Sequence, residues 1–450
     1  MKMKKGRNLI FPLTLTLTLI IMFPVLTSFS WKSPGTAFAR AKTSIDGPVI
    51  NDTHLGAQLV VGGLKAPSAM TFLGPEDILV AEKNTGNVMR IMNGVASQQP
   101  LLHVEVAKKD ERGLLGVAIS KNTETGKRYV FLYYTESQRN DLGAITPDPE
   151  GNRVYRYELV KDKLTNPKLL LDLPALPEPR HNGGKITIGP DNSLYIAIGD
   201  VGGSFVAKDS ETKAQNYVNG SEPDGRAAII RITQDGNPVG NGIIGSVPMS
   251  NLYYAYGIKN SFGFDFDPVT GKMWDAENGP TFGDEINFVD PGFNSGWAKI
   301  QGVWFVQSQE GAKTEPGKGE RVSENPPGLV SFGAKGKYSS PEFTWDKSVA
   351  PTALKFLTSS KLGAQYTNDM FVGDANFGNI YRFSLTENRT GLRLDGPLAD
   401  RVADEVEELE NIIFGKGFGV ITDLQVGPDG YLYVLVYDKD DGRIYRISPV

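Results

Sequence analysis

A short strand–turn–strand phrase recurs six times along the 450-residue chain, and that repeat limits the fold more than any other feature. Its closing element sets a basic residue among apolar ones: Val88-Met89-Arg90-Ile91, Val154-Tyr155-Arg156-Tyr157 and Ile229-Ile230-Arg231-Ile232. It returns, weakened, as Glu285-Ile286-Asn287-Phe288, then as Ile380-Tyr381-Arg382-Phe383 and Ile444-Tyr445-Arg446-Ile447. Turns precede it at Gly74-Pro75-Glu76-Asp77, Gly189-Pro190-Asp191-Asn192, Asp267-Pro268 and Gly427-Pro428-Asp429-Gly430. Clean period-two alternation predicts the last two strands over 431–437 and 443–447. A sheet of this kind cannot cover both of its faces alone, so neighbouring copies must pack on it. Six copies too irregular for a solenoid therefore predict an all-β, six-bladed β-propeller with four-stranded antiparallel blades over residues 55–450. Two β-sandwiches are the alternative, but no Pro/Ser-rich linker divides the body. Residues 135–152 and 303–340 are polar and rich in Gly and Pro, and are expected to be long loops that help build a pocket.

The N-terminus has the pattern of an export segment. Lys2, Lys4, Lys5 and Arg7 precede an apolar, Thr-rich run from Leu9 to about Leu26, and Ala37-Phe38-Ala39 offers a cleavage site. Residues 1–39 are thus expected to be a signal peptide, with an uncleaved membrane anchor as the alternative, and 40–54 a linker. The body would work secreted or otherwise extracytoplasmic. The chain has no cysteine, which excludes disulfides, thiolate metal sites and cysteine nucleophiles. Only His54, His103 and His181 are available, too few for a multi-histidine zinc centre. A net charge of −5, despite the basic leader, argues against nucleic acid as a partner.

Two stretches concentrate chemistry. In Arg180-His181-Asn182-Gly183-Gly184 an imidazole sits where glycines would let a flat ligand approach. Asp200, one hairpin later, could orient that imidazole and raise its basicity. The second stretch runs through Tyr256-Gly257-Ile258-Lys259-Asn260, Glu277-Asn278-Gly279-Pro280 and Gly283-Asp284-Glu285-Ile286-Asn287, then Gly292, Asn294, Gly296 and Trp297. Carbonyls turned inward by a Gly-Pro turn, with carboxylates near, suit a hard cation such as Ca²⁺. Taken singly, all of these are also ordinary turn residues.

In this order, these stretches resemble the soluble quinoprotein glucose/sorbosone dehydrogenase family, the aldose sugar dehydrogenases. The likeness runs from about Gly62 to the C-terminus. It includes Gly113-Leu114-Leu115-Gly116-Val117-Ala118, Ala350-Pro351-Thr352-Ala353-Leu354 and Gly427-Pro428-Asp429-Gly430-Tyr431-Leu432-Tyr433. The resemblance implies a six-bladed propeller that binds pyrroloquinoline quinone (PQQ) over Ca²⁺ and oxidises an aldose at C1 to the lactone. An external acceptor, which the sequence leaves unidentified, would take the electrons. By position, His181 would be the base and Asp200 its support, with Lys259 and Asn260 at the cofactor's reactive end. Gly279 and Pro280 carbonyls, with Glu285 near, would hold the calcium. The sequence departs from the family where its well-known members place cations on the cofactor. Lys259 stands for an arginine, Asn376 for a lysine, and Val420 and Thr422 for an Arg-x-Arg pair. Arg180, Lys185, Lys355 and Arg382 are candidates to replace them. Two other functions fit a propeller of this sequence: a non-catalytic binder of carbohydrate or protein, and a Ca²⁺-dependent, lactonase-like hydrolase.

Overall fold

The computed structural model describes residues 47–120, 126–202, 211–307 and 316–450. The expected export segment and the first part of the expected linker lie outside the described residues. Six of the seven sheets among the described residues follow one another along the chain as blades. Blade 1 comprises Pro67–Gly74, Asp77–Glu82 and Asn87–Met92, with Val95–Ala96 and Leu102–His103 on its outer edge. Blade 2 comprises Leu114–Ile119, Tyr129–Arg139, Ile145–Val160 and Lys163–Leu173. Ile186–Ile188, Leu194–Ile198, Ala228–Ile232 and Tyr253–Tyr256 make blade 3; Ser261–Phe266, Met273–Glu277, Phe282–Val289 and Phe343–Lys347 make blade 4. Blade 5 is Pro351–Phe356, Met370–Asp374, Ile380–Phe383 and Ile413–Lys416. Blade 6 joins Val420–Val426, Leu432–Tyr437 and Gly442–Pro449 to Leu55–Leu64 from the other end of the chain. The fold is the six-bladed propeller that the repeat predicts.

Ring closure is visible in how the core divides. One apolar cluster fills each interface between successive blades, and a sixth joins blade 6 to blade 1 through Val61, Leu64, Met70, Val80 and Leu435. The second strand of a blade must therefore be apolar on both faces. Along Leu194–Ile198, Leu194, Ile196 and Ile198 enter the core shared with blade 2, while Tyr195 and Ala197 enter the one shared with blade 4. The register of Leu55–Leu64 against Gly442–Pro449 fixes the ring shut, from Leu55 opposite Pro449 to Leu64 opposite Gly442.

The repeated arginine has a structural reason. Arg90 makes a two-pronged bond to Asp77, with Nε and an Nη each 2.8 Å from a carboxylate oxygen. Arg231 pairs with Asp191, Arg382 with Asp369 and Arg446 with Asp429, each acid lying at the start of the second strand or in the turn before it. Tyr195 and Tyr433 donate to the same acids, Asp191 and Asp429. Each pairing ties the third strand of a blade to the turn between its first two. In blade 4 the third strand has Asn287 instead, and Asp267 takes its cation from blade 5, Arg389 bonding it at 2.7 and 2.8 Å.

The two expected long loops are corrected. Residues 135–152 are not a loop: most lie in the long hairpin of Tyr129–Arg139 and Ile145–Val160. Part of 303–340 forms a small sheet of Ile300–Gln301, Trp304–Gln307 and Gly317–Arg321. The segment expected as linker already enters the fold at Val49–Ile50, which pairs with Lys416 and Gly415 on the edge of blade 5.

Asp267 is fully buried, and burial pushes its carboxyl up, but the Arg389 guanidinium, Thr270 and the Val269 amide outweigh that and hold it below the ordinary range. Asp267→Ala would strand the Arg389 guanidinium and should cost about 3 kcal/mol in urea unfolding at pH 7. Because the folded-state value is depressed, the wild type keeps this contribution above the unfolded carboxyl's titration and loses it as pH falls. The gap between the two proteins should therefore narrow below about pH 4.

Candidate active site

The first strands of all six blades line a cavity of about 290 Å³ on the propeller axis. Ser68, Leu115, Ile186, Phe262, Thr352 and Thr422 contribute one wall position each. Lys185 and Asp423, from opposite blades, meet inside it with Nζ 2.8 Å from Oδ1. Lys83 also lines the cavity, as do Asp110 and Glu111. Three carboxylates thus face two lysines.

His181 sits in a loop tied down before it reaches the cavity. Asn182 is buried, accepting from the Asn152 amide at 3.0 Å and donating to the Pro179 carbonyl at 2.8 Å. His181 itself takes φ 60°, and its amide donates to Glu111 Oε2 at 2.6 Å. Gly183 and Gly184 are needed by the chain itself rather than by a ligand. A Cβ on Gly183 would collide with the Ala197 carbonyl, and one on Gly184 would stand 2.5 Å from Leu115 Cβ. Gly199 matters most: a side chain there would strike the carbonyl oxygens of both His181 and Lys259. Its absence lets the two backbones converge.

What converges is a four-residue chain. Asp200 has no exposed surface. Its Oδ1 lies 2.7 Å from His181 Nδ1 and accepts the Gly202 amide at 2.9 Å; its Oδ2 accepts Trp297 Nε1 at 2.7 Å. Burial pushes the Asp200 carboxyl up, yet His181, Lys259 and the Gly202 amide together hold it below the ordinary range. A carboxylate can only accept, so His181 Nδ1 carries a proton and Nε2 is left as the acceptor. The Lys259 ammonium donates to Nε2 at 3.2 Å and to the Gly279 carbonyl at 3.0 Å. Trp297 flanks it, Nζ lying 5.6 Å from the ring centre.

The sequence-predicted residues divide clearly. His181, Asp200, Lys259 and Gly279 meet directly, and Asn260 adjoins them, its Nδ2 3.4 Å from the same Glu111 oxygen that holds His181. Asn260 Oδ1 is buried and has no hydrogen-bond partner among the described residues. Pro280 follows half-buried. Asn376, Val420 and Thr422 line the cavity from blades 5 and 6. Asn376 donates to the Ser348 carbonyl and Thr422 to that of Pro67.

Glu285 does not join the Gly279–Pro280 turn. It faces Glu277 across the ladder and is held by Asn287, Ser295, Gln301 and the Gly302 amide. The carboxylate that reaches the turn is Asp284, which accepts the Gly279 amide at 2.7 Å. Burial pushes Glu285 up to about 8 and Asp275 to about 7, and raises Glu277 well above the usual range. Of the replacement cations proposed from sequence, only Lys185 lines the cavity, and it is bound to Asp423. Arg180 pairs with Asp110, Lys355 with Asp265 and Arg382 with Asp369. Glu111, and Trp297 as the second anchor of Asp200, were missed as site residues.

Residues 64–446 match the Glucose / Sorbosone dehydrogenase family. The chain belongs to that family. It is 26% identical to the aldose sugar dehydrogenase of Escherichia coli over 392 residues, covering 86% of this chain and 91% of that protein. It is 27% identical to quinoprotein glucose dehydrogenase B of Acinetobacter calcoaceticus over 281 residues, covering 59% and 55%. The PQQ-bound aldose sugar dehydrogenase of Streptomyces coelicolor has the same fold, with a TM-score of 0.60 at 21% identity, over 88% of this chain and 97% of that one. No described helix is long and apolar enough to cross a membrane.

With only three histidines in the chain, the tautomer can be read directly. ¹⁵N NMR of histidine-labelled protein should show a buried imidazole protonated at Nδ1 with an unprotonated Nε2, distinct from the exposed His54 and His103, whose Nδ1 atoms face Asp52 and Asn87, and that signal should vanish in His181→Gln. In Trp297→Phe the Asp200 carboxylate loses a buried donor, and stability should fall by about 1–3 kcal/mol.

Proposed function

We propose that the protein is an extracytoplasmic sugar dehydrogenase that oxidises an aldose at C1 to the lactone, with PQQ in the axial cavity as the electron acceptor. The observation that carries this reading is the His181–Asp200–Trp297 arrangement. An imidazole whose Nδ1–H is locked on a buried carboxylate has its Nε2 left as an acceptor, the form a general base needs. The relatives named as aldose sugar dehydrogenase and quinoprotein glucose dehydrogenase support the class of substrate and cofactor.

A volume of about 290 Å³ stands at the lower bound for sites that enclose a drug-sized ligand. Lys83 and Lys185 would face the quinone's carboxylates, with Asn376 and Thr422 beside them. PQQ, when bound, supplies a two-electron acceptor; the remaining work belongs to the chain. The C1 hydroxyl proton goes to His181 Nε2 as the C1 hydride leaves. Asp200 then faces an imidazolium and stabilises it. To free Nε2, the Lys259 ammonium must yield that one bond to the sugar hydroxyl, keeping its bond to Gly279. Asn260 Oδ1, an acceptor without a donor, suits a second sugar hydroxyl. Calcium does not fit as the sequence expected, because the Gly279 carbonyl is taken by Lys259 and Glu285 lies elsewhere. No step is assigned to it.

Titrating the purified chain with PQQ, followed by dye reduction with a panel of aldoses, tests the reading. Sugar-dependent reduction is expected, and His181→Ala should lower kcat by about two to four orders of magnitude while quinone still binds. Failure of the wild type to bind quinone at micromolar concentrations would overturn it.

A further inference from the structure

The bond between Lys259 and Gly279 has a consequence for the metal that the family reading implies. That reading places calcium on the Gly279 carbonyl. In this chain the carbonyl oxygen accepts the Lys259 ammonium at 3.0 Å. We propose that Lys259 takes the place of the divalent ion, so that this site works with a built-in monovalent cation and without calcium.

The surroundings agree on three counts. First, Lys259 is 2% exposed and is pinned at both ends. Its amide donates to Glu277 Oε1 at 2.5 Å, and its carbonyl accepts the Asp200 amide at 3.0 Å. Its ammonium is held between Gly279, His181 and the face of Trp297. Second, calcium takes about six to eight oxygen ligands, typically including carboxylates. The acids near the turn are all committed elsewhere. Asp284 accepts the amides of Gly279, Val349 and Ala350 and the hydroxyl of Ser348. Glu277 is on Lys259 N and Ser295, and Asp200 is on His181 and Trp297. Among the described residues no group of three His, Asp or Glu side chains is arranged to hold a metal ion. Third, an ion on the Gly279 oxygen would stand within a few ångströms of the ammonium bound to that same oxygen. Like charges at that range, away from water, repel strongly. A lysine ammonium is a compact point charge that can take an ion's place on a carbonyl; a planar guanidinium is a poorer stand-in.

The inference rests on family membership for the metal's position. Its test uses calcium alone, so its failure is separable from failure of the quinone or sugar reading. The wild-type chain and Lys259→Met are stripped with EGTA, then titrated with calcium by calorimetry and thermal melting. The wild type should melt at the same temperature with and without the ion. Lys259→Met, with the ammonium gone and the Gly279 carbonyl released, should bind calcium at least about tenfold more tightly than the wild type. Lys259→Gln, which keeps a neutral donor, replaces the methionine variant if that one does not fold, and the same gain is expected. Equal or weaker calcium binding by the variant overturns the proposal. So does a wild-type crystal grown in calcium that shows the ion on the Gly279 oxygen.

Discussion

A carboxylate with no access to water must find every partner within the protein, and Asp200 does so with three parts of the chain. His181 reaches it from the loop before blade 3. Trp297 comes from the connection between the third and fourth strands of blade 4, and the Gly202 amide from its own loop. Its amide closes on the Lys259 carbonyl. Remove the carboxylate and the imidazole loses its tautomer, the indole its acceptor and the ammonium a counter-charge. The distances among His181, Lys259 and Gly279 follow from this one buried charge. The glycine at 199, by leaving room for two backbones, is what lets the charge be there.

The same economy explains why so much of the fold was legible. A propeller blade needs a second strand apolar on both faces, and an anchor from its third strand to its first turn. Leu194–Ile198 and the Arg90–Asp77 pairing are local in sequence, so both leave a pattern that repeats. His181 and Asp200 were legible for a similar reason, since they lie in the loops flanking one hairpin. Glu111 was not, and Trp297 was legible as part of the Gly292–Trp297 stretch but not as a partner of Asp200, because both arrive from other blades. The 135–152 segment looked like a loop because its polar, Gly- and Pro-rich residues sit largely at the tip of a long hairpin, which is exposed to solvent.

Glu285 shows a subtler limit. Composition put an acid near the Gly279–Pro280 turn but could not choose between neighbours. The pleat decides: Glu285 sits opposite Glu277 in the ladder, and successive residues of a strand point to opposite faces. Only Asp284 can therefore turn toward the Gly279 amide. A one-residue difference in parity separates an acid that shapes the turn from one buried beside two others.

Those buried acids bear on the charge of the whole centre. Ser295 Oγ lies 2.7 Å from Glu277 Oε2 and 3.0 Å from Glu285 Oε2, but a hydroxyl has one proton to give. One of the two contacts requires a proton from a glutamic acid, which agrees with the upward push that burial exerts on both. The acid that carries this proton contributes no negative charge to the site. Within the Asp200–His181–Lys259 chain itself the formal charges are the Asp200 carboxylate and the Lys259 ammonium, which cancel. A divalent ion added to that chain would leave it two charges positive, next to an imidazole that must accept a proton. With Lys259 alone, the chain is neutral before proton transfer and carries a single positive charge after it.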